Sequence, residues 1–216
     1  MYDIRHPYDD PTPPDYFVDY LNQAEVQDAL GVSVNYTRTY SPQVGRGFQN
    51  TGDFVYRRFL HDLERILNNG VRVALMYGDA DYICNWFGGE AVSNEIQYEN
   101  AEEFRQTGYV PFTVNGVEYG EGRQYGNFSF TRIYEAGHEV PYYQPEASLE
   151  FFRRVLGGLV ISDGSEAVTE DYATPGDAEA THTEPFVPLP SSVSSGAVVS
   201  SSALVVSSEA ARVTAF

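Results

Sequence analysis

The stretch VRVALMYGDAD, residues 71–81, is the part of this 216-residue chain that decides its fold. Its first eight residues form a short and almost wholly apolar run, which is typical of a strand buried on both faces of a parallel sheet. An acidic turn follows at the carboxyl end of the predicted strand, and in open α/β sheets ligands and catalytic groups gather at that end. The stretch therefore predicts an α/β protein with a candidate site at residues 78–81.

Helices are predicted on the amino-terminal side of this strand. An irregular approach, residues 1–14, leads into an amphipathic stretch that runs from Asp15 and ends at Gly31. A looser segment then continues to about Asn50. Residues 51–69 carry one apolar stripe and end at Asn-Gly, so they predict a helix that leads directly into the strand.

The carboxyl-terminal side predicts further strands and helices. Residues 86–97 are compatible with a helix, and Asn115-Gly116 between two alternating runs indicates a type I′ hairpin within residues 109–134. A strand over residues 128–134 leads to Ala-Gly-His, and a helix is expected over residues 145–156. This helix is expected to face inward with Leu149, Phe152 and Leu156.

Composition changes after Ile161. Residues 162–216 are rich in Ser and acidic side chains and have no sustained period. Such a segment buries too little apolar surface to fold, so a disordered tail of the kind that carries O-linked glycans is predicted.

The charge balance excludes several classes of function. The chain has 31 acidic against 13 basic side chains, a formal net charge of −18, and every basic residue is Arg. This charge repels phosphate backbones and anionic lipid, so neither nucleic-acid binding nor a membrane-surface role is expected. No stretch is long enough to span a bilayer, and the first residues have no apolar signal core. Taken literally the chain would stay in the cytosol; taken as a fragment it has lost its leader.

Cysteine and glycosylation motifs bear on the compartment. The one cysteine, Cys84, allows no internal disulfide. Two N-glycosylation motifs begin at Asn35 and Asn127, and a glycan at either would imply a secretory route.

An acid and a histidine occupy the positions that a hydrolase triad requires. Asp81 follows the buried strand, and His138 follows a later strand, 57 residues further along. In α/β-hydrolases the triad acid and His come in this order on loops after late strands. The carboxylate must hold one imidazole nitrogen so that the other can take a proton from the nucleophile. Spacing alone leaves two other interpretations open, a turn-forming Asp and a structural His.

Two longer motifs resemble the serine carboxypeptidase family. GDADYICNWFGGEA at 78–91 resembles the pattern around that family's triad acid, and AGHEVPYYQPEASLEFFRRVLGG at 136–158 resembles its His segment. The resemblance covers about residues 1–160, is closest to the fungal secreted branch, and is extended by YDIRHPYDDPTPPDYFVDYLNQAEVQDALGV near the amino terminus.

The resemblance implies roles for individual residues. Asp81 is then the triad acid, His138 the general base, and Asp79 a structural acid. Cys84 matches an unpaired family cysteine that helps shape the leaving-residue pocket, although a small buried filler is an alternative interpretation. Glu139 falls where the family varies a residue of the same pocket, and a carboxylate there is expected to favour polar or basic leaving residues.

The resemblance also implies an organisation and a setting. Residues 1–50 would be the end of a cap insertion, 51–161 the carboxyl-terminal part of an α/β-hydrolase core, and 162–216 the disordered tail. Peptides are the implied substrates, with neither cofactor nor metal, and the complete protein would be secreted or vacuolar.

The sequence contains no Gly-x-Ser-x-Gly nucleophile elbow. Without the serine and its oxyanion donors a His–Asp pair has little to activate. We therefore expect a fragment that is unstable and inactive alone and whose partner is the amino-terminal half of the same enzyme. A non-catalytic relative kept for binding or assembly remains open, as does another α/β-hydrolase such as an esterase, which does not explain the Ile-Cys-Asn-Trp string.

Overall fold

A computed structural model of the protein describes residues 2–5, 16–37, 41–52 and 59–180. The helices are α1 (Tyr16–Leu21), α2 (Ala24–Leu30), α3 (Pro42–Thr51), α4 (Phe59–Asn68), α5 (Trp86–Glu95), α6 (Ala101–Gln106), α7 (Val140–Tyr143) and α8 (Pro145–Leu156). The strands are β1 (Val73–Gly78), β2 (Val110–Val114), β3 (Val117–Tyr125) and β4 (Phe128–Ile133). All described residues belong to the first of two compact units, Met1–Pro185; the second, Phe186–Phe216, lies outside them.

The strands form one mixed sheet in the order β1-β4-β3-β2. The predicted strand at 71–78 is present as β1, which pairs in parallel with β4, whereas β4, β3 and β2 pair antiparallel. Because β1 and β4 run in the same direction, the loops that follow them emerge at the same edge of the sheet. This topology brings residues 79–86 and 134–139 together.

Apolar side chains form one cluster on each face of the sheet. The first joins α4, α5 and α6 to the sheet and contains Leu67, Trp86, Ile96, Tyr98, Ala101, Phe104, Tyr109, Phe128 and Phe130. The second joins α7 and α8 to the opposite face and contains Phe112, Val114, Ile133, Ala136, Val140, Ala147, Phe151 and Ile161. Alternate residues of β4 enter the two clusters, so this strand is covered on both faces.

The hairpin and the last helix have the predicted boundaries. Asn115 and Gly116 both have positive φ, 52° and 79°, as a type I′ turn requires. Helix α8 runs from Pro145 to Leu156, as predicted for residues 145–156.

The predicted inward face of α8 is wrong. Leu149, Phe152 and Leu156 are 70%, 60% and 71% exposed. The buried positions are Ala147, Ser148, Phe151 and Arg154.

The rotation of α8 follows from the polar contacts of Arg154. Its guanidinium donates to the carbonyl oxygens of Thr113, Ile161 and Ser162 at 2.6–2.9 Å. The side chain also lies over the Phe112 ring, 4.8 Å from its centroid. A fully hydrogen-bonded Arg can be buried, and this turns the leucine-rich stripe of α8 outward.

The amino-terminal helices differ from the prediction in their division. The amphipathic stretch from Asp15 forms two helices, α1 and α2, interrupted at Asn22-Gln23, and it ends as expected at Gly31, with φ 68°. The segment interpreted as loose contains α3. Ser41 Oγ accepts the Val44 N–H at 3.2 Å and caps the start of this helix, whose two interior glycines weaken its signal in the sequence.

The helix predicted over residues 51–69 is also divided. Helix α3 ends at Thr51, followed by Gly52 at φ 72°, and the helix before β1 is described from Phe59 onward. Residues 53–58 of the predicted helix lie outside the described residues. Its end was predicted correctly, since Gly70 has φ 74°. The short helix α6 was not predicted.

The disordered tail predicted over 162–216 is wrong for residues 162–180, which pack on the sheet. Thr174 is buried, and its hydroxyl accepts the Gln124 N–H at 3.0 Å and donates to the Gly108 carbonyl at 2.7 Å. Isolated bridges join Ala173 and Asp177 to the sheet region. Main-chain pairing holds this segment without the apolar periodicity that marks a helix or strand in sequence. Residues 181–216 of the prediction lie outside the described residues.

Within the described part of the chain, none of the helices combines the length and the apolar character that crossing a bilayer requires.

Candidate active site

Asp81 and His138 meet at the sheet edge where β1 and β4 end. The Oδ2 atom of Asp81 lies 2.9 Å from Nδ1 of His138. The Asp81 side chain is 5% exposed and that of His138 is 36% exposed. A buried carboxylate thus holds one ring nitrogen of a partly accessible imidazole, and Nε2 is left for chemistry with a bound group.

The Ile-Cys-Asn-Trp string holds the acid loop in place. The second oxygen of Asp81, Oδ1, accepts the Cys84 N–H at 3.1 Å. The Asn85 side chain caps α5 by accepting the Gly88 N–H at 3.0 Å. Trp86 is buried at the start of α5, and the Arg132 guanidinium of β4 lies 4.0 Å from its ring centroid. The string therefore positions the carboxylate and anchors its loop to β4.

Asp79 connects the acid loop to the loop that carries His138. Its Oδ1 accepts the Ala136 N–H at 3.2 Å, and the Ala80 N–H donates to the Ala136 carbonyl at 2.9 Å. Burial raises the pKa of the Asp79 carboxyl, and the hydrogen bond from Ala136 opposes that rise. The position fits the structural role implied for this residue, because its carboxylate bonds main chain.

The two loops approach so closely that Gly78 has no room for a side chain. A Cβ at this position would lie 2.3 Å from the Ala136 carbonyl oxygen and 2.4 Å from that of Gly137. The parallel pairing of β1 and β4 is therefore not sufficient to bring Asp81 and His138 into contact. The small residue at the end of β1 is what lets the base loop come within reach of Asp81.

Cys84 lies beside the pair. It is exposed, so the interpretation as a small buried filler is wrong. Its Sγ, a carboxylate oxygen of Asp81 and a ring nitrogen of His138 lie within 4.8 Å of one another. Within the described residues, these three side chains offer the sulfur, oxygen and nitrogen atoms that can bind a metal ion. Glu139 follows His138 directly, is exposed and begins α7.

Of the two predicted glycosylation residues, Asn127 lies away from the pair. Asn35 is exposed in the loop after α2. Asn127 is half-buried in the β3–β4 turn, at the opposite end of β4 from His138, and its side-chain amide donates to the Val71 carbonyl at 3.2 Å.

Sequence reasoning missed one part of the site, the segment Tyr2–Arg5, here called the strap. It was interpreted as an irregular approach, yet the His138 N–H donates to the Tyr2 carbonyl at 2.8 Å and the Ile4 N–H donates to the Ala80 carbonyl at 3.0 Å. An acid followed two residues later by Arg was its signal in sequence, but local spacing says nothing of a contact made across more than 130 residues of chain.

Comparison with known proteins identifies relatives of the chain. The profile of the serine carboxypeptidase family matches residues 2–158. Carboxypeptidase S1 homolog A of Arthroderma otae is 47% identical over 193 residues, an alignment that covers 87% of this chain and 30% of the relative. Carboxypeptidase S1 of Penicillium janthinellum is 40% identical over 162 residues, covering 75% of this chain and 38% of the relative. The chain thus spans about a third of the length of these relatives.

A solved structure has the same fold. The crystal structure of Kex1(delta)p, a prohormone-processing carboxypeptidase from Saccharomyces cerevisiae, superposes with a TM-score of 0.60 at 21% identity. The match covers 77% of this chain and 38% of that one. At this identity the likeness concerns the fold alone, and it agrees with the predicted fold class. The chain belongs to the serine carboxypeptidase family, and its fold is that of part of an α/β-hydrolase.

Proposed function

We propose that this chain provides the acid and base, Asp81 and His138, of a serine carboxypeptidase that removes carboxyl-terminal residues from peptides. The nucleophilic serine and its elbow come from a further polypeptide segment, the amino-terminal half of the enzyme. The observation that carries the proposal is the 2.9 Å contact between Asp81 Oδ2 and His138 Nδ1 at the carboxyl ends of two parallel strands.

The reaction follows from this geometry. Because Nδ1 faces Asp81, His138 Nε2 accepts the proton of the serine hydroxyl as its oxygen attacks the last peptide carbonyl. The imidazolium then gives that proton to the departing amine, the peptide C–N bond breaks, and an acyl-enzyme forms. Water, deprotonated by the same nitrogen, attacks the acyl carbon and releases the shortened peptide and the serine. Asp81 orients the ring and stabilises its positive charge in both halves of the cycle.

The surface of the described residues supports a partner segment. Strand β1 pairs with β4 on one side, and among the described residues no strand pairs with its other edge. Side chains of β1 are half-buried, and the α8 residues Leu149, Phe152 and Leu156 are exposed. Open strand edges and apolar helix faces are unfavourable in water. The amino-terminal part of a serine carboxypeptidase, with further strands of the sheet, has the chemistry to cover them.

The proposal extends to substrate and setting. Glu139 is exposed beside the base and would favour basic leaving residues. Glu139→Gln should lower kcat/KM for peptides ending in Arg more than for those ending in Leu, with the difference shrinking in high salt. Equal loss for both peptides would remove this part of the proposal. Glycans at Asn35 and Asn127 and a secreted or vacuolar site belong to the same proposal, and peptide mapping before and after enzymatic deglycosylation tests them.

A reconstitution experiment tests the function. The 216-residue chain is assayed on a blocked dipeptide alone and after co-expression with the amino-terminal segment of carboxypeptidase S1 homolog A, where the family pattern places the Gly-x-Ser-x-Gly elbow. We expect no cleavage by the chain alone, cleavage by the pair, and labelling of the pair by a fluorophosphonate. His138→Ala in the pair should abolish both signals.

Two outcomes contradict the proposal. Cleavage by the isolated chain would show that it needs no second segment. Assembly of a folded but inactive pair, unchanged by His138→Ala, would favour the binding or assembly protein instead.

A further inference from the structure

We infer that the strap, residues Tyr2–Arg5, is a positioning element that holds His138 against Asp81, with the buried Asp3 as its anchor. Its effect on catalysis rests on the proposed function, but its effect on the two loops does not. The two motifs around the triad acid and His, residues 78–91 and 136–158, do not include this segment.

The strap crosses both loops of the site. One hydrogen bond joins it to the base itself, from the His138 N–H to the Tyr2 carbonyl, and the second joins it to the residue before the triad acid, from the Ile4 N–H to the Ala80 carbonyl. These bonds are 2.8 and 3.0 Å long. Two residues that lie close together on the strap thus set the separation of the acid and base loops.

Asp3 is buried and holds the strap in its bent shape through an ion pair with Arg5. It is 0% exposed, and a buried carboxylate without a partner is strongly unfavourable. Arg5 pairs with it closely: its main-chain N–H and Nε bond Oδ1 at 2.7 and 3.1 Å, and Nη2 bonds Oδ2 at 2.8 Å. This pairing folds the strap into a tight turn whose carbonyl and N–H face the two loops.

Gly137 lets the strap reach the base. A Cβ at Gly137 would lie 2.6 Å from both the Tyr2 carbonyl oxygen and the Asp3 Cβ. Any side chain at the residue before His138 would therefore push the strap away. The glycine and the buried acid are complementary parts of one contact.

The Tyr2 ring packs beside the imidazole. The two ring centroids are 5.2 Å apart and the planes are tilted by 41°. Among the described residues, the Asp81 carboxylate at 2.9 Å and the Cys84 thiol also lie near the His138 ring, and Glu139 is adjacent in sequence. Tyr2 thus closes one side of the ring, which limits its rotation away from Asp81. It does not touch the reacting atoms, so it is a positioning residue.

The expected consequence is kinetic. A displacement of a catalytic group by about 1 Å costs on the order of 100-fold in rate. Loosening the strap should therefore lower kcat with little change in KM for a peptide ending in Leu, because Glu139, the proposed binding group on the same loop, acts on basic leaving residues.

The test compares Asp3→Asn with Asp62→Asn, an exposed residue of α4 that controls for the lost charge. Hydrogen exchange is measured on the full chain and on its complex with the elbow-containing segment, and kinetics on the complex, with active sites counted by fluorophosphonate. We expect Asp3→Asn to accelerate exchange of the His138 amide at least tenfold and to lower kcat per active site about 10- to 100-fold. Asp62→Asn should change neither.

A second variant keeps the strap backbone. Tyr2→Ala retains the carbonyl that accepts from His138 but removes the ring, and Tyr2→Phe retains the ring. We expect the first to lower kcat per active site at little-changed KM, and the second to restore it. Tyr16→Ala, a change at an exposed tyrosine of α1, controls for the loss of a surface ring.

Distinct results overturn the inference. Unchanged exchange at His138 in Asp3→Asn would show that the strap does not hold the loop. A rate loss explained wholly by fewer active sites, with kcat per site unchanged in both variants, would reduce the strap to a stabilising segment. An inactive wild-type complex would count against the proposed function alone, because the exchange comparison would still decide whether the strap holds the base loop.

Discussion

Strands β1 and β4 are neighbours that each lead to one member of the Asp81–His138 pair, yet they differ in how this chain covers them. All six residues of β4 are buried, whereas five of the six residues of β1 are half-buried. Strand β4 lies between β1 and β3 with helices on both faces; β1 has a paired strand on one side within the described residues. The base His138 therefore follows a strand that this chain buries completely, whereas the acid Asp81 follows a strand that the described residues leave half-buried. Local bonds between the loops, rather than β1 itself, hold the two residues together.

The largest expected effect breaks the link between the two strands at the site. In the complex with the elbow-containing segment, Asp81→Asn should reduce kcat by about 10⁴-fold, since an Asn favours the wrong imidazole tautomer while preserving shape. Asp79→Asn, which keeps an oxygen for the Ala136 N–H, is the matched control and should cost far less. Steady-state kinetics on a blocked dipeptide measure both, and equal losses would contradict the assignment of Asp81 as the triad acid.

The next prediction tests how completely other parts of the protein bury each strand. Phe130 of β4 and Leu75 of β1 are register partners, but Phe130 is fully buried and Leu75 is half-buried. Phe130→Ala should lower the free energy of unfolding of the chain by about 3–5 kcal/mol. Leu75→Ala should lower it by about 1–2 kcal/mol, because the half-buried leucine loses less buried apolar surface than the phenylalanine does.

Joining the amino-terminal segment sharpens this difference. The cost of Leu75→Ala should then rise toward that of a core leucine, about 2–5 kcal/mol, while the cost of Phe130→Ala stays the same. Urea unfolding of the chain and of its complex measures both. A Leu75→Ala cost that does not change on assembly would mean that the partner does not cover β1.

A third prediction concerns the strand end itself. Gly78→Ala places a Cβ 2.3 Å from a main-chain oxygen of the base loop, so we expect a loss of about 3 kcal/mol or more and separation of the acid from the base. Gly47→Ala, in α3, where no atom lies within 4 Å of the point that the new Cβ would occupy, should instead stabilise by up to about 1 kcal/mol. Thermal unfolding of both variants is the measurement, and similar effects would contradict the close approach.

The smallest expected effect concerns Glu150 in α8, the helix that packs on the sheet through Ala147 and Phe151. Hydrogen bonds from Arg153 and Arg154 lower the pKa of Glu150 to about 2 from its ordinary 4.5. A lowered carboxyl pKa contributes stability above the unfolded value, and this is lost as pH falls from about 4.5 through about 2. Glu150→Gln should therefore cost on the order of 1 kcal/mol or less at pH 7, reduced by solvent screening, and almost nothing at pH 2. Glu102→Gln, at an exposed residue of α6, is the control. A destabilisation by Glu150→Gln that grows as the pH falls would contradict the prediction.

Much of the core followed from local patterns. The apolar run before Gly78, the Asn115-Gly116 turn and the Pro145 start of α8 each specify their element through backbone preferences of a few residues. The predictions were wrong for the buried face of α8 and for residues 162–180, where contacts between residues far apart in sequence determine the structure. Arg154 turned α8 by bonding carbonyls of β2 and of residues 161–162, and Thr174 fastened a polar segment that composition alone marks as disordered.

The sequence by itself determined the α/β order of elements, the family, and the two residue types that form the acid–base pair, because each is encoded in short contiguous strings. Only the tertiary structure decided that Asp81 reaches His138, that Gly78 allows this approach, and that Tyr2–Arg5 lies across both loops. The physical reason is that these are contacts between groups distant along the chain, most of them main-chain atoms, and their hydrogen bonds depend on where the backbone goes rather than on which side chain each residue carries.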